Sequence, residues 1–158
     1  MSKFLINILL VPLKAYRALL SHIMRKYYAA NGVSIGKNTY ISPKAYLDSH
    51  KPAKIIIGEN CYITRNVIIL NHTDTRKGGP MSIWENIGGK REFADVVIGD
   101  NVFIAVGSVI MPGVKIGSDS IIGALSLVTK DVLQGTIVAG APAKPIGNTL
   151  DHVRGIKC

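Results

Sequence analysis

Ile98, Ile104, Ile110, Ile116, Ile122 and Val128 stand six residues apart without a slip. An amphipathic helix repeats its apolar face about every 3.6 residues and a strand every 2, so an aliphatic residue recurring at six marks one corner of a coil. The spacing predicts a solenoid. Four residues after each aliphatic comes a companion, Val102, Ser108, Val114, Ser120, Ser126 and Val132, always small or β-branched. Such side chains suit the crowded places where one coil packs on the next.

The same frame runs through Ile35, Ile41 and Leu47, with Thr39 and Ala45 as companions, and through Ile57, Ile63 and Ile69, with Cys61 and Val67. The three blocks begin at Ile35, Ile57 and Ile98, and neither step between them is a multiple of six. Insertions therefore separate the blocks, a short one near Ser49 to Lys54 and a long one within Leu70 to Val97. Long loops in compact repeats usually carry function. Gly36, Gly58, Gly99, Gly117 and Gly123 each follow a frame aliphatic, and Asn38, Asn60 and Asn101 come two residues later. Both residue types tolerate the positive φ that a sharp corner needs.

A chain of 158 residues fits one domain. With one Trp, six Tyr and three Phe, its core has to be layered Ile and Val. Stacked coils leave exposed ends, so capping or oligomerisation is expected. Cys61 at a companion position and Cys158 at the end do not make a disulfide framework, which points to a reducing, cytoplasmic setting. The net charge is +9, but the basic residues are scattered and no nucleic-acid motif accompanies them. Small polyanions or an anionic membrane are the expected counterparts, not nucleic acid.

Residues 1–30 differ in kind. Phe4 to Leu13 is almost wholly apolar, after which Lys14, Tyr16, Arg17, Arg25 and Lys26 alternate with Leu19, Leu20, Ile23 and Met24. That pattern predicts a helix. The apolar run is too short to span a bilayer. It also has Lys3 as its one early charge and no small-x-small cleavage site, unlike a signal peptide. Two readings stand: a peripheral helix at the inner membrane face, or a cap on the solenoid. The expected division is a helical segment 1–30, a solenoid 31–147 with an external loop at about 70–97, and a tail 148–158.

The stretch from Val97 to Lys144, VIGDNVFIAVGSVIMPGVKIGSDSIIGALSLVTKDVLQGTIVAGAPAK, resembles the C-terminal half of the hexapeptide-repeat acyltransferases. It is most similar to their maltose, galactoside and Nod-factor O-acetyltransferase branch. The resemblance covers residues from about 33 to 147, and VTKDV and AGAPAK are its most specific parts. It implies an all-β solenoid, namely a left-handed parallel β-helix of triangular cross-section. It further implies a homotrimer, acetyl-CoA as donor in a cleft between subunits, and a sugar or glycan intermediate as acceptor. Handedness and trimer come from the resemblance, not from the period.

The family places a catalytic histidine where the long loop begins, and here LNHTDTRKGG makes it His72. The chemistry fits, because transfer of acetyl to an alcohol needs a base that titrates near neutrality. The resemblance also implies a backbone oxyanion donor near Ala105 and Val106, the amide of Val106 being the one assigned. It maps donor contacts to Phe103, Ala105, Val106, Ala124 and Thr129, with Lys130, Pro142 and Lys144 toward the phosphates or adenine. For the acceptor, Asp74, Trp84 and Glu85 in the long loop and Asp48 in the short insertion are candidates, offering carboxylates for hydroxyls and an indole face for a sugar ring.

No Gly-x-Ser-x-Gly elbow occurs and Cys61 reads as a packing residue, so direct transfer is expected rather than an acyl-enzyme. Zinc carbonic anhydrases share the architecture, but His22, His50, His72 and His152 lack the spacing of a three-histidine site, and no metal is expected. The alternatives are a non-catalytic scaffold and an N-acetyltransferase acting on an amino sugar.

Overall fold

A computed structural model gives the fold; it describes Tyr16, Leu19 and Leu20 and residues 22–74 and 91–153. A helix, α1 (22–30), leads into the first coil, β1 (Val33–Ile35), β2 (Tyr40–Ile41) and β3 (Tyr46–Leu47). The second coil is β4 (Ile55–Ile57), β5 (Tyr62–Ile63) and β6 (Ile68–Ile69). A hairpin of β7 (His72–Asp74) and β8 (Arg91–Phe93) then projects before the third coil, β9 (Val96–Ile98), β10 (Phe103–Ile104) and β11 (Val109–Ile110). The fourth coil is β12 (Lys115–Ile116), β13 (Ile121–Ile122) and β14 (Leu127–Val128), and β15 (Thr136–Ala139), β16 (Lys144–Asn148) and α2 (Thr149–Val153) close the chain.

Every coil visits the same three faces. Face A stacks β1, β4, β9 and β12; face B stacks β2, β5, β10, β13 and β15; face C stacks β3, β6, β11 and β14. All these pairings are parallel, as the expected parallel β-helix requires. The registers match the steps between the sequence blocks: Ile35 pairs with Ile57, and Ile57 with Ile98. Where the hexad runs unbroken, Phe103 pairs with Ile121, three hexads on. The insertions interrupt the chain at one edge only, where face C passes to face A.

Alternation within each short strand turns one side chain in and its neighbour out. Ile104, Ile110 and Ile122 are at 0% exposure, whereas Phe103 on the outer side of β10 is at 40%. The companion residues are buried at the corners, and the polar ones find partners there. Ser108 Oγ donates to the carbonyls of Ala105 (2.9 Å) and Gly123 (2.8 Å), and Thr39 Oγ1 to that of Gly58 (2.7 Å). A buried hydroxyl left unpaired would cost about 1–3 kcal/mol, so each bond makes a polar residue tolerable in a dry column.

The corners divide labour between two residue types. Asn38, Asn60 and Asn101 take the expected positive φ, at 55°, 55° and 56°. The frame glycines do not, and here the expectation is corrected: none of Gly36, Gly58, Gly99, Gly117 and Gly123 lies in the left-handed region. Their reason is close stacking. A Cβ on Gly58 would fall 2.7 Å from the backbone carbon of Gly99 one coil on.

Helix α1 covers the open end of the first coil. Tyr28 is buried and its hydroxyl donates to the Ala45 carbonyl at 3.1 Å. Arg25 donates to the carbonyls of Ile35 (3.1 Å), Gly36 (2.9 Å) and Thr39 (3.3 Å), groups with no further coil to pair with. Residues 22–30 therefore act as a cap; Phe4 to Leu13 lies outside the described residues. Among the described residues no helix is long and apolar enough to cross a membrane. At the other end β16 pairs antiparallel with β15 and runs through Asn148, one residue past the expected end of the solenoid.

Ile104→Ala should destabilise the fold by about 2–5 kcal/mol, because no neighbour in a stacked column can move in to fill the space; chemical denaturation would measure it. Burial pushes the Cys61 thiol up, against the opposing hydrogen bonds from backbone and Thr39. Iodoacetamide at neutral pH should therefore spare the Cys61 peptide in the native protein and label it in urea; rapid native labelling would contradict a packing role.

Candidate active site

Both insertions leave the same edge, and they meet there. Leu47 pairs with Ile69 between the first two coils, and His50 and His72 each follow three residues later, so the two histidines stack one above the other. Their ring centroids are 4.4 Å apart. Between them lies Asp48, buried to 1% exposure.

Asp48 Oδ1 bonds His50 Nδ1, and its Oδ2 contacts His72 Nδ1. The first approach has hydrogen-bond geometry. The second is an ion-pair contact off the bonding direction, and neither Oδ2 nor His72 Nδ1 has a hydrogen-bond partner among the described residues. Each is thus the other's polar neighbour. No Lys or Arg among the described residues reaches this carboxylate, so the imidazoles are what offset its burial. With Nδ1 turned to Asp48, His72 presents Nε2 on the far side of the ring.

Neighbouring groups fix the arrangement. Asn71 is buried and its Nδ2 donates to the carbonyls of His50 (2.9 Å) and Ala53 (3.0 Å), tying the short insertion to the base of the long one. His72 pairs with Phe93 across the hairpin, their rings 6.0 Å apart. The His72 side chain keeps 16% exposure and that of His50 keeps 50%, so both stay accessible. The three donor groups lie within 4.8 Å of one another, a spacing that could also admit a divalent ion.

His50 was not among the sequence candidates. Its signal was available, since the step from Leu47 to Ile69 that relates the two coils also relates the two histidines. Asp48, read as an acceptor contact, faces the imidazoles instead. Asp74 lies in β7 opposite Arg91, and Trp84 and Glu85 fall outside the described residues.

The donor-side residues occupy two edges. Ala105, Val106 and Ala124 lie where face B passes to face C, and Pro142 and Lys144 belong to the turn and strand that follow β15 on face B. Phe103 is on the outside of face B beside them. Thr129 and Lys130 follow β14 and so lie on the other edge, the one that carries His72. Of the two amides proposed for the oxyanion, that of Ala105 is spent on the Ile122 carbonyl at 2.9 Å. The Val106 amide makes no such bond among the described residues, and Val106 is 41% exposed.

Residues 95–130 match the family model described as bacterial transferase hexapeptide (six repeats). The galactoside O-acetyltransferase of Escherichia coli is 31% identical over 134 residues, spanning 75% of this chain and 65% of that protein. The chain spans less than two thirds of the length of such curated relatives. Among solved structures, the Vibrio cholerae hexapeptide-repeat acetyltransferase VCA0836 complexed with acetyl coenzyme A superposes with a TM-score of 0.63. It is 26% identical and covers 74% of this chain and 60% of that one. A galactoside acetyltransferase in complex with coenzyme A gives a TM-score of 0.61 at 27% identity, over 77% of this chain and 67% of that one. With its unbroken hexad and its three stacked parallel faces, the chain carries the bacterial transferase hexapeptide repeat over residues 95–130 and is similar in sequence and fold to hexapeptide-repeat acetyltransferases.

Proposed function

We propose that the protein is an acetyl-CoA-dependent O-acetyltransferase acting on a sugar or glycan hydroxyl, as a homotrimer of left-handed β-helices. The observation that carries this reading is the buried Asp48 carboxylate set against Nδ1 of His72 at the mouth of the long loop. A carboxylate there holds the imidazole in the tautomer whose Nε2 accepts a proton and stabilises the imidazolium that results. The acetyl-CoA and CoA complexes of the two solved relatives support the donor, and the galactoside O-acetyltransferase supports the acceptor class.

The reaction is direct. His72 Nε2 takes the acceptor's hydroxyl proton as its oxygen attacks the thioester carbonyl, and the Val106 amide donates to the oxyanion. Such a donor lowers the barrier by about 3 kcal/mol. Collapse breaks the C–S bond, and the imidazolium returns the proton to the departing thiolate. His50 holds Oδ1 of Asp48 and so keeps Oδ2 on His72.

One chain cannot assemble this site alone. His72 and Val106 lie on different edges, and a six-residue side at about 3.3 Å per residue separates edges by roughly 20 Å. The edge of one subunit that bears His72, Thr129 and Lys130 meets the edge of the next that bears Val106 and Ala124. That pairing accounts for the division of the donor residues between two edges.

His72→Ala should lower turnover by about 100-fold or more while acetyl-CoA affinity stays within about twofold, measured by thiol release and by equilibrium binding. Asp48→Asn should keep acetyl-CoA binding and lose at least about tenfold in kcat. Normal turnover in His72→Ala removes the mechanism. Mixing is the test of the shared cleft. His72→Ala and Ala124→Trp subunits, each inactive alone, should regain activity at roughly a quarter of sites when randomly co-assembled. No recovery in demonstrably mixed oligomers would put both residues in one subunit's site.

A further inference from the structure

Face B carries an outward stack of aromatic rings, of which Phe103 alone was expected to meet the donor. Tyr40 lies on Tyr62 with centroids 4.7 Å apart, and Tyr62 on Phe103 at 5.8 Å with the rings within 14° of parallel. Tyr62 is nevertheless 48% exposed and Phe103 40%. Beside this stack, along the edge from face B to face C, opens a cleft of about 630 Å³. Tyr16 and Leu20, ahead of α1, also line it.

The registers fix where this cleft lies relative to the reacting atoms. Ile41, Ile63, Ile104 and Ile122 pair in turn on face B, so the residues two places after them, Pro43, Arg65, Val106 and Ala124, form one column, each a coil apart. Backbone bonds lock that column: Asn66 N to Lys44 O (3.0 Å), Gly107 N to Arg65 O (3.2 Å) and Leu125 N to Val106 O (2.9 Å). Coils repeat at about 4.8 Å, so the space from Val106 down to Lys44 runs about 10 Å, the reach of one or two sugar rings. Val106 is the rim shared with the reaction centre. Ala124 lies on the opposite side of it, toward the end assigned to the donor, so the cleft is on the acceptor side.

Its lining states the ligand's chemistry. With Tyr62 stacked between Tyr40 and Phe103, the tyrosines present their outer edges, whose apolar rims suit the C–H groups of a pyranose and whose phenols add hydrogen bonds to its hydroxyls. Lys44 and Arg65 supply two cations, and no described lining residue carries a carboxylate. A guanidinium one coil from the oxyanion donor matches a planar carboxylate or a phosphate rather than a neutral hydroxyl. We infer that the acceptor is an acidic sugar, a glycan unit bearing a carboxylate or phosphate, held against the outer edges of Tyr40 and Tyr62 with its anion on Arg65 and Lys44. The inference rests on the acetyl-transfer reading above, since Val106 gives the cleft its polarity.

The test is thiol release from acetyl-CoA by the full chain with matched acceptors: galacturonate oligomers against neutral galactose oligomers, and glucose 6-phosphate against glucose. The acidic member of at least one pair should be preferred by about tenfold or more in kcat/KM. Whether the uronate or the phosphate ester leads decides the source of the anion. Lys44→Gln with Arg65→Gln should abolish that preference while leaving the KM for acetyl-CoA and turnover of the neutral sugar within about twofold. Tyr62→Ala should raise the KM of both members of a pair.

Equal use of neutral and acidic acceptors, or indifference to the charge variants, overturns the inference and leaves acetyl transfer standing. A lower oligomer mass by light scattering in the charge variants assigns the face to a subunit contact and also overturns it. Absence of thiol release with every acceptor together with absence of CoA binding instead removes the acetyl-transfer reading.

Discussion

The hydrogen bonds between successive coils are the constraint from which the other features follow. Each parallel strand of the three faces is only two to four residues long, too short to be stable alone, and gains its partners from the neighbouring coils. Because every face repeats this in parallel, a residue gained or lost inside a strand would turn its inward side chains outward on one face and break register on the next. Insertions are therefore confined to edges. The cap follows from the same constraint, since the first coil has carbonyls with no coil beyond them, and Arg25 takes three.

The edge that tolerates the insertions gains a property the others lack. Two excursions from adjacent coils are forced into contact there, and Asn71 joins them through two backbone carbonyls. Asp48 is buried at their junction. Burying a carboxylate with no Lys or Arg nearby is costly, and two imidazoles share the task of offsetting it. An arrangement kept at that cost is a reason to read chemistry there, because a structural residue would be cheaper if apolar.

The prism shape also separates functions along and across its length. Across it, His72 and Val106 stand on different edges, which is why the proposed site calls on a second copy. Along it, the column through Ala124, Val106 and Arg65 steps through consecutive coils, with the aromatic cleft at its Arg65 end. The stacking distance converts steps in sequence into steps of about 4.8 Å in space. A site built this way has its length fixed by the number of coils and its chemistry fixed by what stands at each corner.

The coil, its buried column and the places where it is interrupted were legible in the sequence, because a period of six can satisfy inward alternation and regular corners only by coiling; the three faces followed from the family resemblance. Ile57 pairs with Ile98 at the offset that the frame gives. The corner asparagines were legible for the same local reason, left-handed φ. The glycines were found but for the wrong reason: how closely Gly58 approaches Gly99 depends on the neighbouring coil, not on its own torsions. His72 could be picked out from the loop it opens; His50 was missed although it follows Leu47 as His72 follows Ile69, and the role of Asp48 needed the fold. Their meeting depends on two insertions of unequal length leaving one edge and folding against each other.

Sequence by itself thus determined the coil, its period and the position of its interruptions, all of which follow from backbone sterics and alternate burial within a few residues. Tertiary structure decided which amide stays free, which carboxylate is sealed against which imidazoles, and which aromatic rings share a face. Those are contacts between coils, set by a register that joins residues as distant in the chain as Ile57 and Ile98.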